Sequence, residues 1–468
     1  MRDWRRRARL VELNLPFALS LSKGERPLRF DRLTTNGRRS ALRDLRLMED
    51  AMKIFRLFLL AMLGAALTAT AAAQTTLHIF TGGQQRPDVM RKVADEYTKR
   101  NPSVKIEVEV GGATSDAQQQ YLNTVLAARD STLDLMLIDV IRPAQWAAAG
   151  WAEPLDSYLG ADKAKLLPTY LKAYADADQV NGKLVALPFF ADAQFLYYRK
   201  DLLEKYKRPA PKTWDELMET AQIVMKGENN PQLQGFSTAG APIEGTVCTY
   251  LVPLWGAGGE LIKNGKPNLD TPEARKPFEL MGRLKVAGVL PKNIGEIATD
   301  RIRVDFQAGN VIFAQNWGYF WNRVENDADT KVKGKVGVTT LPADKGGRSA
   351  TCIGGWQVAV SAFSKNKPEA VKFARYLSSP EVSKTMAILA SNLPVFPQVY
   401  KDPEVLKANP WFADALPVVE GAKARPVTPR YTEVSDAIRS NMNAYLAGTK
   451  TTDTALNDMK NRLAPIYR

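Results

Sequence analysis

GKLVALPFFADAQFLYYRKDLLEKY, residues 182–206, is the stretch on which the reading of the fold turns. It reads as a β-prone run, Pro188, a second β-prone run rich in Phe and Tyr, and a helix begun at Lys200-Asp201. PKTWDEL follows at Pro211–Leu217. Upstream, strand and helix patterns alternate from the outset. Thr76–Thr81 (TLHIFT) is β-prone and ends in Gly82-Gly83, and Pro87–Arg100 places Val89, Met90, Val93 and Tyr97 at helical spacing. Asn101-Pro102-Ser103 breaks that helix, and VKIEVEV at 104–110 alternates as a half-buried strand should. Asp116–Ala128 is helical, LDLMLID at 133–139 reads as a buried strand, and Ala144–Ala149 opens another helix. This βαβαβ order predicts an α/β protein with an open, mostly parallel sheet. Ligands of such sheets sit beyond the carboxyl ends of the strands, here Thr81-Gly82-Gly83 and Asp139. No GxGxxG or GK[ST] follows either end, so nucleotide binding is not expected.

The chain has 468 residues, room for two or three domains, and a formal charge of +14. A single His and two Cys leave too few ligands for a zinc cluster, haem or iron–sulfur site, so no metal and no cofactor is expected. Much of the charge lies at the start. Residues 1–51 carry a net +6, and Met52 then begins MKIFRLFLLAMLGAALTATAAAQ. Its basic head at Lys53 and Arg56, apolar run Leu57–Leu67 and small residues Ala71-Ala72-Ala73 form a cleavable signal peptide over 52–73. Met52 is the expected start, with 1–51 a translated extension that the mature protein lacks. Removing 1–51 (+6) and 52–73 (+2) from +14 leaves +6 on a long chain, and the case for a nucleic-acid partner goes with it.

No Cys adjoins the cleavage site to carry a lipid, and no apolar run after Ala73 is long enough to span a bilayer. The expectation is a soluble, exported protein of a Gram-negative periplasm, not embedded in a membrane. Cys248 and Cys352 would meet an oxidising space there. A disulfide between them and two separate buried thiols are both open on spacing alone.

Beyond residue 206 further segments fall in a telling order: FQAGNVIFAQNWGYFW (306–321), VGVTTLP (336–342), CIGGWQVAV (352–360), NKPEAVKFARYLSSPEVS (366–383) and NLPVFPQVYKDPEV (392–405). With 182–206, and with Arg425–Ile466 as closing helices, they resemble the extracellular solute-binding proteins of ABC transporters. The nearest group is family 1, the sugar binders that include the trehalose/maltose- and maltodextrin-binding proteins. The resemblance spans essentially all of 75–468. It implies a type II periplasmic-binding-protein fold with two α/β lobes, three crossing hinge segments and a ligand cleft between the lobes. Lobe 1 would be 75–186 plus 357–393, and lobe 2 would be 187–356 plus 394–468.

A sugar shows hydroxyls at its rim and C–H patches on its faces, so its site needs carboxylates, amides and Arg together with aromatic planes. Trp317 and Trp356 match stacking aromatics of the family. Alternation through 315–321 would set Trp317, Tyr319 and Trp321 on one side of an extended strand, with Tyr319 the better candidate of the last two. Gly354 and Gly355 would admit the sugar close to the backbone. Asp139 and Asp192 match carboxylates that reach hydroxyls, and Arg430 in TPRY matches a family arginine. Arg142 stands where relatives carry an aromatic residue.

Two positions depart from the family. Gly83-Gln84-Gln85-Arg86 replaces a Glu, so Gln85 offers an amide and Arg86 favours an acidic or phosphorylated ligand. Phe190 stands where close relatives have Tyr. His78, in the first strand, is expected to be buried. The resemblance implies a substrate-binding subunit without enzymatic activity, a default monomer, that closes on a disaccharide such as trehalose or maltose. It would then dock on a membrane permease driven by an ATPase. The other readings are a binder of glycerol-3-phosphate or another anion, led by Arg86, Arg142 and Arg430, and remotely a glycosidase using Asp139 and Asp192.

Overall fold

The period-two run at 104–110 and the apolar run ending at Asp139 form strands on either side of the first strand. β1 (Thr75–Thr81) lies between β2 (Val104–Val110) and β3 (Leu135–Asp139), all parallel, with helices Pro87–Arg100 and Ser115–Ala127 as crossovers. The computed structural model describes residues 74–112 and 114–467, with Met48 and Met52; the extension 1–51 and signal segment 52–73 otherwise lie outside the described residues. Among them no helix is long and apolar enough to cross a membrane.

β4 (Leu187–Arg199) organises the rest. The sequence suggests two strands split at Pro188, but the structure has one strand of 13 residues with Pro188 second. A proline lacks the N–H for a ladder and is tolerated near a strand's start or at a bulge. Here β8 (Ile353–Val360) shifts register between Trp356 and Gln357, the two residues opposite Phe190 and Pro188, so Phe189 bulges free of the ladder. The first half of β4 pairs antiparallel with β8. The second half pairs antiparallel with β6 (Val311–Trp317) and β7 (Val336–Thr339), and β5 (Gln234–Ser237) runs parallel to β6. The order is β2-β1-β3-β8-β4-β6-β5, with β7 beside β4.

The core follows the strand period. Leu77, Ile79, Leu135, Leu137, Val358 and Val360 pack on one face of the first sheet against Val89, Phe373 and Met386. Phe80, Met136, Ile138 and Ala359 face the other way, onto Leu122, Leu126 and Trp146. A sheet covered on both faces reads as a continuous apolar run, which is why 135–138 shows no alternation. β4 changes cores along its length: Leu187, Phe189 and Phe190 belong to the first, while Ala191, Ala193, Phe195 and Tyr197 belong to a separate body with Phe236, Phe278 and Phe313. His78 departs from expectation. The parallel register sets it beside Glu107, and its Nδ1 lies 3.2 Å from Glu109 on a side chain that is 30% exposed.

Cys248, in helix Glu244–Gly256, is joined to Cys352 by a buried disulfide with Cα atoms 6.0 Å apart. Cys352 also bridges to Lys423, so the helix, the entry to β8 and the segment at 423 are held together. Just beyond, Gly355 has φ +113°, and a Cβ there would lie 2.5 Å from the Phe190 carbonyl. Gly355→Ala is expected to cost about 2 kcal/mol or more of stability, read as a lowered urea midpoint with unchanged slope.

Candidate functional site

Sheet register alone assembles most of one wall. Residues directly opposite on neighbouring strands share a face. Trp356 of β8 stands opposite both Asp139 of β3 and Phe190 of β4, Gly354 stands opposite Asp192, and Gln194 stands opposite Trp317 of β6. Because Phe190, Asp192 and Gln194 alternate along β4, the row runs unbroken over one face. Glycine at 354 is required by this arrangement, since a Cβ there would meet Trp317 Cζ3 at 2.4 Å.

All of this row except Gln194 lines one cavity, completed by Gln84 and Gln85, by Thr114, Ser115 and Asp116 at one helix start, by Ile243, Glu244 and Gly245 at another, and by Thr299, Tyr319, Gly355 and Arg425. Arg425 is the centre of its charge. The buried guanidinium donates to Asp139 Oδ1 at 2.9 Å and to Glu244 Oε1 at 2.8 Å, and sits 5.9 Å over the Trp317 ring. Ser115 donates to Asp139 Oδ2 at 2.9 Å, while Ser435 and Tyr431 donate to Glu244. Asp116 receives Arg439 and, at 3.0 Å, the Glu244 backbone N–H. Burial alone would lower the Arg425 pKa, but the charges of Asp139 and Glu244 outweigh it and hold the group above its ordinary range.

Several polar atoms of lining residues have no partner among the described residues: both amide atoms of Gln85, the Tyr319 hydroxyl and Arg425 Nε. Buried polar groups are normally satisfied, so such a concentration along one cavity marks positions for a polar ligand's atoms. Asp192 differs from Asp139. Its Oδ1 accepts from Gly318 N at 2.7 Å and Ala193 N at 2.9 Å, and Tyr174 braces its backbone. Burial nevertheless pushes its pKa up to about 7, with Asp139 adding to the rise and the two N–H donors and Arg425 opposing it.

Gln85, Asp139, Phe190, Asp192, Trp317, Tyr319, Gly355 and Trp356 therefore meet at one cavity. Others do not. Trp321 is not on the strand: β6 stops at Trp317, and Gly318, packed against Asp192 and Leu393, turns the chain into helix Phe320–Asn326, where Trp321 lies against Trp411. Arg430 is exposed, held by Glu433 and the Pro465 carbonyl. Arg425, five residues earlier, occupies the cavity instead. Arg142 is buried outside it, bonded to Gln145 and Thr432 and 5.7 Å over Tyr431. Arg86 lines a neighbouring hollow. Asp116 and Glu244 escaped notice because an acid in a helix's first turn is the commonest of surface features.

These features fit a protein that encloses a small polar solute. The chain belongs to the bacterial extracellular solute-binding proteins, whose family profile matches residues 83–384. The expected assignment to family 1 of the ABC transporter solute-binding proteins, with a mixed α/β periplasmic-binding fold, stands. It is 34% identical over 392 residues to the probable ABC transporter-binding protein of Deinococcus radiodurans, covering 81% of this chain and 90% of that one. The solved structure of maltose-bound T. maritima MalE3 superposes with a TM-score of 0.78 at 34% identity, over 83% of this chain and 99% of that one. The mannitol-binding protein of Pseudomonas aeruginosa is 26% identical over 330 residues, 69% of this chain and 73% of that one.

Two outcomes follow from the electrostatics. Arg425→Leu leaves Asp139 and Glu244 buried without their cation and is expected to cost about 3–5 kcal/mol by chemical denaturation. Adding Asp139→Asn and Glu244→Gln should restore most of that loss. For Asp192, the native state keeps a proton between about pH 4 and 7 that the unfolded chain has released, so this group lowers stability as pH rises through that window. Asp192→Asn keeps the acceptor for Gly318 and Ala193. It should gain on the parent by up to about 4 kcal/mol between pH 4 and pH 8, read from paired denaturation curves.

Proposed function

We propose that the protein is the substrate-binding subunit of an ABC importer that captures a sugar and delivers it to a membrane permease driven by an ATPase. The observation that carries this is the pairing, in one cavity, of two tryptophan planes with carboxylates, an arginine and unpartnered amide and hydroxyl groups. Aromatic faces suit the C–H patches of a pyranose, and charged hydrogen-bond partners suit its hydroxyls. We read the ligand as a disaccharide such as trehalose or maltose; the maltose carried by the T. maritima relative supports that class. The protein is exported to the periplasm and works as a monomer in this reading.

Capture works through the lobes, 75–186 with 357–393 and 187–356 with 394–468. A ligand touching both Asp139 on one side and Glu244, Trp317 and Trp356 on the other makes its full set of contacts only when they meet. Closure is favoured by that difference. The anionic alternative loses its support, because neither Arg86, Arg142 nor Arg430 lines the cavity while four carboxylates do.

A thermal-shift screen against trehalose, maltose, sucrose, mannitol, glycerol-3-phosphate and a polyamine tests the reading. A solute at 100 times its dissociation constant adds about 2.7 kcal/mol, which shows clearly as a raised midpoint. A shift with a saccharide is expected; a shift with glycerol-3-phosphate alone would sink the proposal. Trp317→Ala and Trp356→Ala should each weaken the bound sugar by roughly 1–3 kcal/mol in calorimetric titration while melting as folded proteins.

A further inference from the structure

Three short paths lead from the Cys248–Cys352 disulfide to the cavity. Cys248 lies one helical turn beyond Glu244 in helix Glu244–Gly256, so the two side chains share a helix face. Cys352 precedes Gly354 and Trp356 at the entry to β8. On its other flank runs the segment that carries Arg425. Lys423 donates its N–H to the Thr351 carbonyl and accepts from the Ile353 N–H, both at 2.9 Å, and so brackets Cys352. Glu244, Trp356 and Arg425 all line the cavity, and both cysteines are fully buried.

Arg425 depends on that bracket. Residues 424–428 form neither helix nor strand. The backbone groups of 424–427 have no backbone partner among the described residues, and Val427 is exposed. Backbone of this kind wanders unless its ends are held. One hold is the Lys423 bridge to the cross-linked residue; the other is helix Tyr431–Leu446. The guanidinium tolerates little movement, because it must reach Asp139 and Glu244 together, at 2.9 and 2.8 Å. Binding is tighter when a site is already ordered, since less freedom is lost on capture.

We propose that the Cys248–Cys352 bond is a positioning element of the ligand site, which sets affinity through Arg425, so that the oxidised protein captures its solute tightly and the dithiol form weakly. The proposal rests on the reading of this cavity as the solute site. Closing the bond takes two electrons and two protons from the thiols and gives them to a disulfide oxidant, which leaves as two thiols. In the reverse step each sulfur regains a hydrogen, and the pair separates to van der Waals distance. That moves the entry to β8, and Lys423 with it, away from the helix begun at Glu244. A chain still in a reducing compartment is thus a poor binder, and capture begins once the bond has formed.

Maltose is the probe, titrated calorimetrically at a temperature where every form is folded. Cys248→Ala/Cys352→Ala should bind it about tenfold more weakly than the unaltered protein. The dithiol form, made by refolding the unaltered protein in dithiothreitol, carries the same expectation and keeps both sulfurs, so it decides if the double variant melts early. Reoxidation with glutathione disulfide should restore the original affinity. A cross-link that served stability alone, by closing a long loop of the unfolded chain, would lower the melting midpoint and leave affinity within about twofold. That result overturns the proposal. Coupling to Arg425 is read from a double-mutant cycle: in an Arg425→Lys background, loss of the bond should change affinity less than about threefold. A full, additive loss there overturns the proposal as well. If the unaltered protein does not bind maltose, the sugar reading fails for that solute, and hydrogen exchange without ligand decides this one. The amides of Ile353 and Lys423 should exchange about tenfold faster in the dithiol form, with Leu77 and Ile79 of β1 unchanged. Equal acceleration at all four, or none, overturns it.

Discussion

One buried guanidinium holds the site in its shape. Arg425 is almost fully enclosed and sits between two carboxylates that come from distant parts of the chain, Asp139 at the end of β3 and Glu244 at the head of a helix. Taking three charges out of water costs several kcal/mol per ion, and mutual attraction offsets it only when the remaining lone pairs are also satisfied. Ser115, Ser435 and Tyr431 do that. Without the cation, Asp139 and Glu244 would be left as buried carboxylates lacking a counter-charge. With it, both stay available as acceptors along the cavity. The cluster also joins two cores, since Asp139 ends the strand that carries Leu135 and Leu137 into one, while Tyr431 and the helix begun at Glu244 belong to the other.

How much of this was legible in the chain depends on whether the determinant was local. The parallel β1–β3 unit and the helix at 87–100 follow from period and composition, and each forms where the pattern places it. Trp321 misleads because alternation continues in the letters after the strand has ended; what ends it is Gly318, pressed against Asp192 and Leu393 from other parts of the fold. Nothing in the spacing distinguishes Arg425 from Arg430. The difference arises where Lys423 bridges to Cys352, which turns Arg425 inward and leaves Arg430 to the helix that follows. Pro188 looked like a break and is not, because a bulge at Phe189, the next residue of β4, interrupts the ladder with β8 beside it.

Electrostatic division of labour among the acids is the second property of the cavity. Asp139 and Glu244 are paired with a cation, Asp116 with Arg439, and Asp192 with no cation in hydrogen-bond contact, only backbone N–H groups. Three carboxylates are thereby fixed as acceptors, while Asp192, pushed up to about 7, can present either a carboxyl proton or a charge near neutrality. A ligand hydroxyl, which both donates and accepts, is served by either form.

The disulfide has a consequence of a different kind. Cys248 and Cys352 close a ring of sequence separation 104 that contains β6, β7 and the helices between them. Tension applied at the two ends of the chain passes through the sulfur bridge and bypasses everything inside it. About 350 Å of extended chain is thus hidden from any pulling agent that grips the ends. A motor drawing the polypeptide through a narrow pore would have to admit two strands of the ring abreast, or stall at helix Glu244–Gly256. The cross-link therefore sets a mechanical floor beneath the ligand cavity that exists whether or not a solute is held there.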